Sequence, residues 1–333
     1  HFRTHKGKTL ICNKLLLIKI VLLVLLFVRS ELFGILVFLY FAESLLFIKA
    51  IANKNIKKPE FTFKAILLTL VSLLVSGGYV FIFVASPIAL LLFDILLPII
   101  ISIVVLLIQP FFVLARNRIL QKATQKIGQH KNLIVIGITG SYGKTSTKEF
   151  LTTILSSQFN VLATPEHKNS EMGIAQTILE DLNEKHQIFI VEMGAYNKGG
   201  IKLLCDMVGP QIGIVTGVNE QHLSTFGSLE NLLSAEGGQE LAEALPRDGL
   251  LVVNGDNKYC FDLYKKTTIK KRLYSVKKER VDSDIWTEDI LVSENSLSFI
   301  MLSEKGEVQP FLVNVLGKHN IQNVLASILV AKN

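Results

Sequence analysis

The sequence predicts two structural classes in one chain: a multi-span transmembrane helical region, followed by an α/β three-layer domain organised around a phosphate loop. Three observations carry this. Half of the 333 residues are hydrophobic, but that average conceals a change of composition. Residues 15–114 are dominated by Leu, Ile, Val and Phe, whereas from Asn132 onward charges, glycines and short apolar runs return. Second, a β-branched run at 133–138 leads through a glycine loop into a helical pattern at 148–155. Third, further apolar runs near 188–192, 212–216 and 250–253 have the spacing that a mostly parallel sheet with helical crossovers requires. The expected boundaries are a membrane region over 1–114, a basic linker over 115–131 and a nucleotide-binding domain over 132–333.

Crossing the hydrocarbon core takes about 20 apolar residues in a helix. Residues 65–85 and 88–108 meet that length, the second with Asp94 and Pro98 inside it. Residues 15–28 and 32–48 are shorter and carry Lys19 and Glu43, and the turn Arg29-Ser30-Glu31 between them predicts a hairpin of two more spans. With four spans, all the basic clusters fall on one side: Arg3, Lys6, Lys8 and Lys14; Lys49, Lys54, Lys57, Lys58 and Lys64; Arg116, Arg118, Lys122, Lys126 and Lys131. The positive-inside rule then places both ends in the cytoplasm. The expected location is the inner (plasma) membrane, multi-pass, with the lipid bilayer as a partner and the soluble half cytoplasmic. These juxtamembrane clusters account for the net charge of +7. No aromatic platform or reading helix accompanies them, so nucleic acid is excluded as a partner. Asp94 and Glu43 lie within apolar stretches, where a carboxyl is costly unless paired or hydrated. They read as neutralised or interfacial groups in preference to contacts with a lipid-linked substrate or a partner helix. Cys12, Cys205 and Cys260 are odd in number and form no CxxC pair, which indicates neither a disulfide framework nor a zinc site. Because the first residue is His1, the chain is expected to be a fragment or processed form, and no signal peptide is read into it.

The chemistry is concentrated in Thr139-Gly140-Ser141-Tyr142-Gly143-Lys144-Thr145-Ser146-Thr147. Glycines let backbone N–H groups converge on phosphate oxygens, and the helix N-terminus adds its positive dipole. Lys144 would neutralise the β/γ-phosphates and Thr145 would reach Mg²⁺. The strict phosphate-loop spacing demands glycine where Ile138 stands; Gly137 and Gly140 give G-x-x-G-x-x-G-K-T instead.

This loop resembles the ATP loop of the Mur ligases, and further blocks follow in that family's order. Thr164-Pro165-Glu166-His167-Lys168-Asn169 is similar to the segment lining the phosphate and substrate cleft. Val191-Glu192-Met193-Gly194-Ala195 is similar to the strand that ends in a Mg²⁺-binding glutamate. Asn219 to Gly227 resembles the block whose histidine, here His222, binds a second Mg²⁺. Asn254-Gly255-Asp256-Asn257 is similar to the turn beside the nucleotide, and Gly317-Lys318-His319-Asn320-Ile321-Gln322-Asn323 to the helix start that closes the central domain. Glu-Met-Gly-Ala and His-Leu-x-x-Phe-Gly-Ser-Leu are most like the versions in the D-alanyl-D-alanine-adding branch. The resemblance covers about 132–333. Membrane spans stand where the family has a UDP-binding domain, and a chain ending at Asn333 is expected to lack the family's Rossmann-like third domain. Members also carry a carbamoylated lysine shortly after the Phe-Gly block. Here that stretch offers Glu236 or Gly238; Glu236 reads equally as a replacement metal ligand and as a surface residue of a helix over 230–245.

The resemblance implies an ATP-dependent amide-bond ligase of cell-wall (peptidoglycan) biosynthesis. It would add an amino acid, or a dipeptide such as D-Ala-D-Ala, to a UDP-linked or lipid-linked muramoyl peptide through an acyl phosphate. It implies catalytic roles for Lys144, Glu192 and His222, and metal contacts from Thr145, Glu192, His222 and Glu236. ATP contacts would come from Gly140, Ser141, Gly143, Lys144, Thr145, Ser146, Asn169, Asn254, Asp256, His319, Asn320 and Asn323. Alternative readings are a non-catalytic or partner-completed membrane ATP-binding protein of the same fold, and an ATP-driven transporter. Against the transporter, Leu250 to Val253 leads to Asn254-Gly255-Asp256-Asn257 without the required Asp-Glu pair.

Overall fold

The computed structural model describes residues 14–29, 31, 33–53, 62–83, 86–276, 283–315 and 317–333. Arg3, Lys6, Lys8, Cys12, Ser30, Lys54, Lys57 and Lys58, on which parts of the expected topology rest, lie outside these residues. The chain divides into two units, 1–115 and 116–333.

The first unit is helical: α1 (Lys14–Val28), α2 (Phe33–Ala52), α3 (Phe63–Phe83) and the greater part of α4 (Pro87–Gln129). Among the described residues two helices, α3 and α4, are long and apolar enough to cross a membrane by length and composition, where four had been expected. α1 has only 15 residues, which is short of a full span. α3 buries none of its residues and exposes Phe63, Leu74 and Phe81. The two carboxyls singled out in the sequence meet one cation. Lys19 Nζ lies 2.8 Å from Glu43 Oε1 and 2.6 Å from Asp94 Oδ2, and the Tyr40 hydroxyl donates to Asp94 at 3.0 Å. Pairing removes most of the cost of a lone charge in apolar surroundings.

The second unit is a three-layer α/β structure. Its nine-stranded sheet has the order β2-β3-β1-β4-β5-β6-β7-β8-β9, with β1 Ile134–Thr139, β2 Val161–Ala163, β3 Ile188–Glu192, β4 Ile212–Val215 and β5 Leu250–Asn254. β6 (Lys270–Tyr274), β7 (Ile285–Val292), β8 (Leu297–Ser303) and β9 (Val308–Val313) complete it. Pairing is parallel from β2 to β7 and antiparallel from β7 to β9. β6 to β9 thus extend the same sheet, and Trp286 is buried on β7.

Side chains alternate across the pleat, so each inner strand feeds two cores. Val135, Phe189, Val191, Leu251 and Val253 face one core. Ile136, Ile138, Ile190, Ile214 and Val252 face the other, which is covered by α5 (Lys144–Leu155) and α12 (Asn320–Ala331). On the first face lie α6 (Glu171–Glu180), α7 (Gly200–Val208), α8 (Leu223–Phe226), α9 (Leu229–Ala235), α10 (Gln239–Ala244) and α11 (Lys258–Lys266). The stretch expected as a linker is helical to Gln129, and Leu120, Ala123 and Ile127 join this core. The helix expected over 230–245 is two helices, because Gly238 takes φ 84° and restarts the chain as α10. Gly137, counted in the phosphate-loop pattern, instead sits inside β1 opposite Gly213. A Cβ there would come within 2.9 Å of Met193 and 3.2 Å of Leu241, so the glycine gives α10 room to approach the sheet.

Candidate active site

The C-terminal ends of β1, β3, β4 and β5 are adjacent in the parallel sheet, the edge at which open α/β sheets receive ligands. The β1–α5 loop crosses it. Ser141 N–H donates to the Gly217 carbonyl at 2.7 Å, and Thr216 N–H donates to the Thr139 carbonyl at 3.1 Å, so the loop is fastened to the end of β4. Gly143 has φ 78°, and a Cβ on it would stand 2.5 Å from Asn323 Oδ1; both conformation and space therefore demand glycine. Helix α5 begins directly after Gly143 with no side-chain cap and no acidic residue in its first turn. Its first N–H groups and its positive dipole end are thereby left for an anion.

Lys144 folds back and donates to the Gly140 carbonyl. Burial pulls its ammonium below the ordinary lysine value, while the attraction of Glu236 and Glu192 opposes that shift. A cation so placed gains by meeting phosphate oxygens. Glu192, 5% exposed, ends β3. Its Oε1 accepts from the Thr145 hydroxyl at 3.1 Å and from Asn169 Nδ2 at 3.2 Å. These are hard oxygen donors suited to Mg²⁺. Among the described residues no group of three or more His, Cys, Asp or Glu side chains forms a metal cage.

A second cluster faces the loop. The short helical turn Glu220–His222 is capped by Asn219 and carries His222, whose Nδ1 lies 2.9 Å from Glu236 Oε1. The Ser141 hydroxyl donates to Glu236 Oε2 at 2.6 Å. Glu236 is 5% exposed, so it belongs to the site and is no surface residue. Its carboxylate fixes the imidazole by one nitrogen; with the side chain 48% exposed, Nε2 is left to meet a ligand.

The remaining expected residues form a supporting layer. Asn254 is fully buried; its amide donates to the Thr216 carbonyl at 2.8 Å and its carbonyl accepts from Asp256 N–H at 2.9 Å. Asp256 accepts from the Ser275 hydroxyl at 2.7 Å, Val276 N–H at 2.8 Å and Gln322 Nε2 at 3.1 Å. Both side chains thus brace the ends of β4, β5 and β6. Asn323 packs under Gly143 and takes the Thr147 hydroxyl at 3.3 Å, and its Nδ2 donates to Asn320 Oδ1 at 3.0 Å. His319 stands at the start of α12 against Gly317, and Ser146 is half-buried in the first turn of α5.

Lys148 is the residue that reading the sequence for roles passed over. Lys148, 1% exposed, lies in the stripe Lys148-Leu151-Leu155 that α5 buries. A lysine at i+4 from Lys144 and in phase with two buried leucines was the available signal. Away from this edge, a cavity of about 540 Å³ opens beside α9 and α10, lined by Leu233, Gln239, Tyr259 and Leu263 among others; no phosphate-loop residue lines it.

Known proteins resemble this chain in sequence and fold. Residues 138–331 match the Mur ligase middle domain. The chain is 32% identical over 209 residues to the UDP-N-acetylmuramoyl-tripeptide–D-alanyl-D-alanine ligase of Bacillus subtilis, covering 63% of this chain and 43% of that protein. It is 30% identical over 193 residues to the enzyme of that name from Escherichia coli, covering 58% and 42%. Its fold is similar to that of MurF from Acinetobacter baumannii (TM-score 0.59, 25% identity, 65% of this chain and 46% of that one). It is similar too to MurF from Thermotoga maritima in complex with ADP (TM-score 0.57, 25% identity, 65% and 49%). The chain spans less than half the length of these relatives.

Proposed function

Because the chain belongs to the Mur ligase family, we propose that it is an ATP-dependent carbon–nitrogen ligase that joins D-alanyl-D-alanine, or a related amine, to a muramoyl-peptide precursor of the cell wall. The observation that carries this is the convergence of an uncapped helix start, the half-buried Lys144 and the Thr145–Glu192 oxygen pair on one sheet edge. Lys144 leaves the Gly140 carbonyl to hold the β/γ-phosphates of ATP; the N–H groups of Lys144, Thr145 and Ser146 at the uncapped start of α5 meet them, and Gly140, Ser141 and Gly143 shape the loop around them. Thr145 and Glu192 would hold a Mg²⁺, and His222 Nε2 a second near the reacting carboxylate, with Glu236 behind or beside it; bound there, the metals neutralise charge that develops during phosphoryl transfer. Asn169 aims Glu192; Asn254, Asp256, His319, Asn320 and Asn323 keep the nucleotide side of the cleft in shape.

The reaction is balanced in two steps. An acceptor carboxylate takes the γ-phosphoryl group and ADP leaves; the donor amine then attacks the acyl phosphate, an amide forms, and phosphate departs with the amine's proton passing to solvent or base. Positioning supplies most of the rate, which is why the loop is fastened at Ser141 and Thr216.

The domains we propose are a membrane region to residue 114, a basic linking segment over 115–131, helical to Gln129, and an ATP-binding middle domain over 132–333. The apolar α3, with no buried residue, and the apolar part of α4 support a membrane-held chain at the cytoplasmic face of the inner membrane. Phosphate release from ATP, measured with UDP-muramoyl tripeptide and D-alanyl-D-alanine, tests the reading. It predicts release that needs both substrates and Mg²⁺; release indifferent to the muramoyl peptide would contradict it.

A further inference from the structure

Lys148 is an expensive residue to bury. An aliphatic side chain would pack α5 onto β2 and β3 without desolvating a charge. Its ammonium is instead fully enclosed, donating to the Thr164 carbonyl at 2.8 Å and lying 3.4 Å from Glu192 Oε2; the exposed Glu149 carboxylate is 3.3 Å away on the outer side. Thr164 closes the arrangement from the other end, because its hydroxyl accepts the Glu192 N–H at 3.0 Å. One residue thus holds the backbone of Glu192 and, through Lys148, its head.

We propose that Lys148 is a positioning residue that makes Glu192 a one-oxygen metal ligand. The two carboxylate oxygens have different neighbours. Oε2 faces the Lys148 ammonium, whereas Oε1 faces Thr145 and Asn169. With Oε2 occupied by a fixed cation, the carboxylate offers a single oxygen to the loop. A small octahedral cation that keeps its waters and takes phosphate oxygens needs one oxygen; a larger cation accepts both oxygens of a carboxylate. Lys148 therefore favours Mg²⁺ over Ca²⁺ at the nucleotide. The inference rests on the nucleotide and Mg²⁺ reading of this loop.

The test is binding of fluorescent ADP to the full chain, titrated without metal, with Mg²⁺ and with Ca²⁺. Lys148→Met is expected to keep the metal-free affinity, to lose about tenfold of the gain that Mg²⁺ confers, as changes behind a metal ligand commonly do, and to discriminate less between Mg²⁺ and Ca²⁺. Lys148→Arg, which keeps the charge, is expected to restore most of both. Should Lys148→Met not fold, Lys148→Gln still reaches the Thr164 carbonyl without a charge and reads the same difference. If Lys148→Met or Lys148→Gln matches the unsubstituted chain in Mg²⁺ gain and metal preference, the positioning role is wrong and the nucleotide reading stands. If arginine fails as methionine does, and metal-free affinity falls with the melting temperature, Lys148 is a structural staple and the inference is overturned. If the unsubstituted chain gains nothing from Mg²⁺, the reading of the loop falls, and this role with it.

Discussion

Each unit of the chain buries a lysine, and the two are buried in different ways. Lys19 in the helical unit is closed off: Glu43 and Asp94 both bind it, Tyr40 backs Asp94, and the ammonium lies 5.2 Å from the Tyr40 ring centroid. Lys148 in the α/β unit binds one oxygen of a carboxylate whose other oxygen points at an exposed hydroxyl. A closed ion cluster between helices specifies how they pair. An ion pair with one oxygen turned outward holds a group ready for something else. The same costly device serves architecture in one region and chemistry in the other.

Removing each lysine breaks the comparison most directly. Lys19→Met strands two carboxylates in apolar surroundings and is expected to destabilise the helical unit by about 3 kcal/mol, read from denaturant unfolding in mild detergent. Adding Glu43→Gln and Asp94→Asn to it is expected to recover most of that loss. Lys148→Met strands a carboxylate that still has Thr145 and Asn169, so its cost should be smaller, about 1–2 kcal/mol. Equal costs, or no recovery in the triple variant, would remove the distinction. Gly143→Ala tests the open end from the backbone side. A side chain at φ 78° against Asn323 is expected to cost about 2 kcal/mol and to weaken nucleotide binding with it. Glu240 sharpens the contrast with a buried carboxylate that is in no ion pair among the described residues. It accepts from Gly199 N–H at 2.7 Å, Lys202 N–H at 2.8 Å and the Ser234 hydroxyl at 2.9 Å, at the start of α7. Glu240→Gln should cost about 1 kcal/mol and leave nucleotide binding unchanged. The smallest effect is chemical. Burial pushes the Cys205 thiol up to about 12 and raises that of Cys260 as well, so at pH 8 neither should react with maleimide until the α/β unit unfolds. Labelling of the native chain at either position would show that unit to be looser than described.

Much of the α/β unit was legible because strands buried on both faces read as unbroken apolar runs; those at 133–138, 188–192, 212–216 and 250–253 appear nearly where expected. β2 was not legible: three residues, Val161–Ala163, carry no periodicity. The continuity of β6 to β9 with the main sheet was hidden too, since strand order is a tertiary fact. Gly137 misled the motif reading because a glycine that makes room for Leu241 looks, in sequence, like one that cradles phosphate. Of the candidate site, Lys144 and Thr145 stood out through the loop pattern and Glu192 and His222 only through the family resemblance; the structure brings Thr145 to Glu192 and Glu236 to His222. The division of labour was not visible. That Asn254 and Asp256 brace strand ends, and that Lys148 reaches Glu192, depends on directions which spacing alone does not give.

The central claim, that the β1–α5 loop is a magnesium-nucleotide site, is tested most directly by calorimetric titration of ADP into the full chain, with and without Mg²⁺, beside Lys144→Ala. Saturable binding is expected that tightens with Mg²⁺ and weakens about 100-fold when the Lys144 charge is removed, about 3 kcal/mol for a charge-assisted contact. Binding that is indifferent to Lys144, or absent in the folded chain, would contradict it.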